Sequence, residues 1–135
     1  MAFGQLSGSA EYTLDPKGRV IIPVKYREAL GSPITIMRGD GCVRLCSQEV
    51  WEKALNKYDA VDEDDNPKLY KKMRKKLATS VDGNMPDKQG RLLIPPSLRS
   101  FAKLDKEIVV SGAGNYVEVW DREAFYEFVD EDEDL

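Results

Sequence analysis

One statement is made twice in this chain, and the repetition limits its fold more than any other feature. From Asp15 the sequence reads DPKGRVIIPVKYREAL, and from Asp87 it reads DKQGRLLIPPSLRSFAKL. At an offset of 72 residues Gly18 meets Gly90, Arg19 meets Arg91, Ile22 meets Ile94, Pro23 meets Pro95 and Arg27 meets Arg99. After a shift of two the likeness resumes, with ITIMRGDGCVRLCSQEVWEKAL from Ile34 lying over IVVSGAGNYVEVWDREAFYEFV from Ile108. A period of this length marks a duplicated structural unit. Each copy holds roughly 55–60 residues of short strands, marginal for a core of its own. Two such copies are expected to pack as a pseudo-twofold pair and to close a shared barrel.

Local patterns place the elements. In copy one, residues 10–14 read as a strand and DPKG as a type I turn, with Asp first, Pro second and Gly fourth. RVII then returns as a second strand of a hairpin, apolar enough to be buried on both faces, and Pro23 ends it. VKYREAL makes a short helix stopped by Gly31. Strands follow at 34–38 and 42–46. Ser47 caps a helix near 48–57, with Trp51 and Leu55 on one face. Copy two repeats the order: strands near 81–85, 91–94, 107–111 and 116–120, a helix at 96–102, and a last helix at 122–129 with Phe125 and Val129 on one face.

Between the copies Asn66 caps, and Pro67 opens, an amphipathic helix with Leu69, Met73 and Leu77 on one side. Its other side carries Lys68, Lys71, Lys72, Arg74, Lys75 and Lys76. That face reads either as a solvated connector or as a basic flank for phosphates or a neighbouring subunit. The expected organisation is a first repeat over 1–60, an acidic linker and basic helix over 61–80, a second repeat over 81–129 and an acidic tail over 130–135.

Charge narrows the partners. The 135 residues carry 24 acids and 20 bases, a net of −4. Nine of the acids lie in two runs, Asp62–Asp65 and Asp130–Asp134. Outside those runs 15 acids face 20 bases, a net of +5, so the remainder is mildly basic. The chain has no histidine, which removes a His-based triad and a mixed Cys/His zinc site. Cys42 and Cys46 would stand about 13 Å apart on a strand, at ~3.3 Å per residue, too far for a disulfide. They read as packing thiols, with half of a metal site as the other possibility. No apolar run is long enough to span a membrane, and the first residues lack the pattern of a secretory signal. The glycines fit neither a P-loop nor a dinucleotide fingerprint. The expectation is a protein that is not an enzyme and carries no cofactor or metal.

Turn chemistry accounts for Asp15, Gly18, Asp87 and Gly90, but not for Lys17, Arg19, Lys88 and Arg91. Long cations beside a tight turn form a probe for phosphate oxygens, and an arginine there can reach guanine O6 and N7. Lys25, Arg27 and Arg99, on the short helices, add donors. The Asp–x–x–x–Arg spacing also fits a plain ion pair across the turn.

The stretch LDPKGRVIIPVKYREAL, its echo DKQGRLLIP, the Phe3–Gly4 pair and the ending VEVWDREAF resemble the MraZ family over nearly the whole chain. The resemblance implies an α+β, β-rich fold of two AbrB-like, swapped-hairpin halves with short flanking helices. It implies a cytoplasmic, nucleoid-associated transcriptional regulator, usually a repressor. Its partners would be double-stranded DNA, as short direct repeats upstream of its own division and cell-wall operon, and further copies of itself in a ring-like homo-oligomer. Asp15 and Arg19 match the first Asp–x–x–x–Arg of that family, and Asp87 and Arg91 the second. Copy two departs where Gln89 replaces Lys17 and Ser97 replaces Lys25, so the first copy is expected to be the main DNA contact. Rival readings are a single-copy AbrB or antitoxin type of regulator, which the fused copies disfavour, and an assembly scaffold that binds no DNA.

Overall fold

A computed structural model describes residues 6–131, so the Phe3–Gly4 pair and residues 132–135 of the acidic tail lie outside it. The elements follow the sequence pattern closely. Copy one contributes β1 (Ser9–Thr13), β2 (Arg19–Ile21), α1 (Val24–Leu30), β3 (Ile34–Arg38), β4 (Val43–Ser47) and α2 (Gln48–Asp59). The connector is α3 (Pro67–Thr79). Copy two contributes β5 (Val81–Asn84), β6 (Arg91–Leu93), α4 (Pro96–Phe101), β7 (Glu107–Ala113), β8 (Tyr116–Asp121) and α5 (Arg122–Val129). The caps are those anticipated: Ser47 Oγ accepts from the Val50 amide at 3.1 Å, and Asn66 Oδ1 accepts from the Leu69 amide at 3.2 Å.

The partners of the strands are not those a simple repeat predicts. Six strands form an antiparallel sheet in the order β1-β7-β8-β4-β3-β5, and β2 pairs with β6 in a separate two-stranded ribbon. The expected β1–β2 hairpin therefore does not form beyond its turn. Asp15 and Arg19 still close the turn, with the Asp15 amide donating to the Arg19 carbonyl at 2.9 Å. The two strands then part, β1 to β7 and β2 to β6, both in the other copy. In the same way β5 crosses to β3. Among the described residues only β3–β4 and β7–β8 are hairpins within one copy. The sheet is open, with β1 and β5 at its edges, rather than one closed barrel.

Strand alternation sorts the side chains to two faces. Toward the ribbon, Ile34 and Ile36 of β3, Val43 and Leu45 of β4, Ile108 and Val110 of β7 and Val117 and Val119 of β8 meet Val20, Ile22, Leu92 and Ile94 in the main core, which α1 and α4 complete through Tyr26, Leu30 and Leu98. On the opposite face Met37 and Cys46 lie under Val50 and Trp51 of α2. Cys42, Val109 and Trp120 lie under Phe125 of α5. Both cysteines are thus packing residues. Burial holds their thiols protonated, pushing Cys46 up to about 12 and Cys42 higher still, so neither offers a thiolate.

Two expectations need correction. β2 is not buried on both faces: Val20 and Ile22 are fully buried, but Ile21 between them is 49% exposed. The outer helices also touch the sheet through less of their length than their periodicity suggests. Trp51, Met73 and Phe125 are buried, whereas Leu55, Leu69 and Val129 on the same stripes are exposed.

The pseudo-twofold axis passes between β4 and β8, where Arg44 is the register partner of Glu118, its own counterpart in the repeat. Arg44 Nε lies 2.8 Å from Glu118 Oε2, and Trp120 Nε1 donates to Glu118 Oε1 at 3.1 Å. The same axis crosses the ribbon at Val20 and Leu92.

Candidate nucleic-acid interface

Each Asp–x–x–x–Arg motif is a self-supporting turn. The Gly18 amide donates to the Asp15 carbonyl at 2.9 Å, closing the turn. Gly18 has φ +87°, left-handed backbone that glycine enters without strain. Asp15 Oδ1 accepts from the amides of Lys17 and Arg19 at 2.9 and 2.8 Å, and Oδ2 takes Arg19 Nε at 2.7 Å. Copy two reproduces this: Asp87 Oδ1 accepts from Gln89 and Arg91 at 2.9 Å each, and Oδ2 takes Arg91 Nε at 2.8 Å. The spacing of four is what lets one carboxylate hold both the turn and the arginine. Each ion pair uses Nε, so the two Nη groups keep their donors for another acceptor.

These bonds favour the ionised carboxylates. The Arg19 amide, then its guanidinium and the Lys17 amide, hold Asp15 below its ordinary 3.8, against the opposing pull of partial burial. The Arg91 amide and guanidinium, with the Gln89 amide, do the same for Asp87. A depressed folded value means that the stabilisation is complete above pH 3.8 and is lost as pH falls through the lower folded value. Carbon-detected NMR titration should place both midpoints below 3.8; a midpoint at or above it for either residue would show that the bonds are absent in solution.

The helix arginines are exchanged between the copies, which the sequence does not reveal. The Arg99 guanidinium of α4 lies over the first turn, so that a methyl group at Gly18 would collide with it. Arg27 of α1 lies over the second turn, where a methyl at Gly90 would come within 2.8 Å of its Cζ. The first cluster is therefore Lys17, Arg19 and Arg99, and the second is Lys88, Arg91 and Arg27. Arg27 Nε donates to the Ile22 carbonyl at 2.9 Å, whereas Arg99 Nε is buried with no hydrogen-bond partner among the described residues. Beside the first turn an open groove of about 1000 Å³ adds Lys103 and Lys106. Lys25 is exposed but tied elsewhere, its Nζ donating to the Ser7 carbonyl at 3.1 Å.

The two turns stand at opposite ends of the ribbon, and each is stitched to the other copy. Ile22 donates to the Gly90 carbonyl at 3.0 Å and Ile94 to the Gly18 carbonyl at 2.9 Å. The family model described as "MraZ protein, putative antitoxin-like" matches residues 5–69 and 81–135. The chain belongs to the MraZ family.

Among its relatives, the transcriptional regulator MraZ of Paenarthrobacter aurescens (strain TC1) is 37% identical over 130 residues, covering 93% of this chain and 87% of that one. The regulator of the same name from Leifsonia xyli subsp. xyli (strain CTCB07) is 40% identical over 116 residues, covering 83% and 78%. That of Thermoanaerobacter sp. (strain X514) is 39% identical over 129 residues, covering 91% and 85%. Both Asp–x–x–x–Arg turns of this MraZ family member lie within the matched segments.

Two further features bear on partners. The basic face of α3 is partly engaged, because Lys72 Nζ lies 3.8 Å from Asp40. Burial, then the charges of Arg44 and Lys72, depress Lys76. Among the described residues no helix is long and apolar enough to cross a membrane, and no cluster of three or more His, Cys, Asp or Glu could hold a metal ion.

Proposed function

We propose that this chain is a DNA-binding transcriptional regulator that grips duplex DNA through its two Asp–x–x–x–Arg turns. The observation that supports this reading best is their arrangement: two cation clusters, related by a pseudo-twofold axis, at the two ends of one β-ribbon. A ribbon of that width fits the major groove, where arginine can reach guanine edges and lysine the phosphates. The names of the relatives support the regulatory role.

In this reading the molecule is two AbrB-like, swapped-hairpin repeats, residues 1–60 and 81–129, joined through residues 61–80. Lys17, Arg19, Arg27, Lys88, Arg91 and Arg99 carry the contact, Lys25 being held by the Ser7 carbonyl, and the first turn, with Lys103 and Lys106 nearby, is the stronger half. The protein acts as a repressor in the cytoplasm, at the nucleoid, without catalysing a reaction. It reads short direct repeats upstream of its own division and cell-wall operon. One chain makes few phosphate contacts, and a ring-like homo-oligomer on successive repeats would multiply weak contacts by about 10²–10⁴ in avidity.

Fluorescence anisotropy tests this reading, with the DNA upstream of the protein's own gene compared with a shuffled duplex at two salt concentrations. The expected result is preference for the native duplex, binding that falls steeply with salt, and stronger binding to three repeats than to one. Equal affinity for native and shuffled duplexes, or for one repeat and three, would overturn it.

A further inference from the structure

The ribbon carries a second pair of exposed residues that charge does not explain. Arg19 pairs with Leu93, and Ile21 pairs with Arg91. Val20 and Leu92, between them, are buried, so Arg19, Ile21, Arg91 and Leu93 share the outward face. Ile21 is 49% and Leu93 51% exposed. The outward face is thus a checkerboard: two arginines on one diagonal and two aliphatic side chains on the other. Exposed, β-branched or leucine side chains at both symmetry-related positions are costly to leave in water.

We propose that Ile21 and Leu93 are specificity residues that pack against the C5 methyl groups of thymines in the major groove. The proposal rests on the DNA-binding reading above and adds what the arginines do not supply. Arginine selects guanine by hydrogen bonds, whereas thymine presents, beside its O4 acceptor, a C5 methyl group that an apolar side chain recognises. The flanking arginines make the occupant a polyanion rather than an apolar protein surface. Diagonal neighbours on a two-stranded ribbon lie about 7–8 Å apart, roughly two base steps at about 3.4 Å each. The two thymines are therefore expected about two steps apart, each beside a position read by an arginine.

The test begins with duplexes selected by the full-length protein from a randomised pool. Each thymine of the selected duplex is then replaced by uracil, which removes only the methyl group. Wild type should lose about fourfold in affinity at each of two thymines, the ~0.8 kcal/mol of one buried carbon. Ile21→Ser should abolish the sensitivity at one of them and Leu93→Ser at the other, with unchanged circular dichroism and oligomer size. If uracil has no effect, or the same effect on wild type and both variants, the inference fails while DNA binding stands. If the serine variants change oligomer size instead, the pair is a subunit contact and the inference is overturned. If no duplex is enriched at all, the proposed function fails and this inference with it.

Discussion

Replacing Glu118 by alanine is expected to destabilise the fold by about 3–5 kcal/mol, the usual effect of orphaning one partner of a buried ion pair. The Glu118 side chain is 9% exposed and both its oxygens are used, one by Arg44 and one by the Trp120 indole. Its loss leaves a guanidinium and an indole N–H facing an apolar sheet. Arg44 keeps 24% exposure, so water reaches part of it and the loss should fall at the lower end of that range. In a domain of this size the melting temperature should drop by about 10–20 °C. The double variant Arg44→Met with Glu118→Leu should recover part of the loss, because it removes the orphaned guanidinium and leaves only the Trp120 indole N–H without its acceptor. Denaturant titration of the wild type and both variants reads this directly; a Glu118→Ala loss below about 1 kcal/mol would show that the pair at the axis is not desolvated. The pair also has a directional consequence. Arginine in one copy and glutamate in the other favour β4 meeting β8, whereas β4 against a second β4 would bring two arginines together.

The second large effect concerns the turns. Arg19→Ala combined with Arg91→Ala should lower affinity for the native duplex by about 30-fold to more than 10⁴-fold, from ~1–3 kcal/mol for each bidentate contact. The fold should be spared. Asp15 and Asp87 keep the backbone amides that close each turn, since alanine supplies the same N–H at positions 19 and 91. Anisotropy on native and shuffled duplexes also separates two ways of binding. Loss of preference marks contact with base edges, while a uniform loss with a shallower salt dependence marks phosphates. Arg→Lys at the same positions should rescue only part of the affinity, because an ammonium lacks the planar fork. A double variant that binds within threefold of wild type would remove the turns from the interface.

Most of the fold's vocabulary was legible in the residues. Ser47 and Asn66 announce helices, Pro23 and Pro95 end strands, and DPKG specifies its turn, because each works through bonds only a few residues long. The ion pairs Asp15–Arg19 and Asp87–Arg91 were legible for the same reason. Exposure was less so. Ile21 looks like a core residue in an unbroken apolar run, and only the ribbon's alternation shows that it faces outward. The exposure of Leu55, Leu69 and Val129 had no local signal either, since it depends on where each helix leaves the sheet.

By itself the sequence determined the repeat, the order of elements, the chemistry of the two turns and the resemblance to a regulator family. These follow from spacing and from short-range hydrogen bonds, which a chain carries wherever it folds. Tertiary structure alone decided who pairs with whom. A period of two dictates which face of a strand is buried but not which strand lies beside it, and two near-identical copies offer each strand two nearly equivalent partners. Exchange won: β2 joined β6, β1 joined β7 and β5 joined β3. That exchange carried Arg99 to the first turn and Arg27 to the second, so each cation cluster is assembled from both copies.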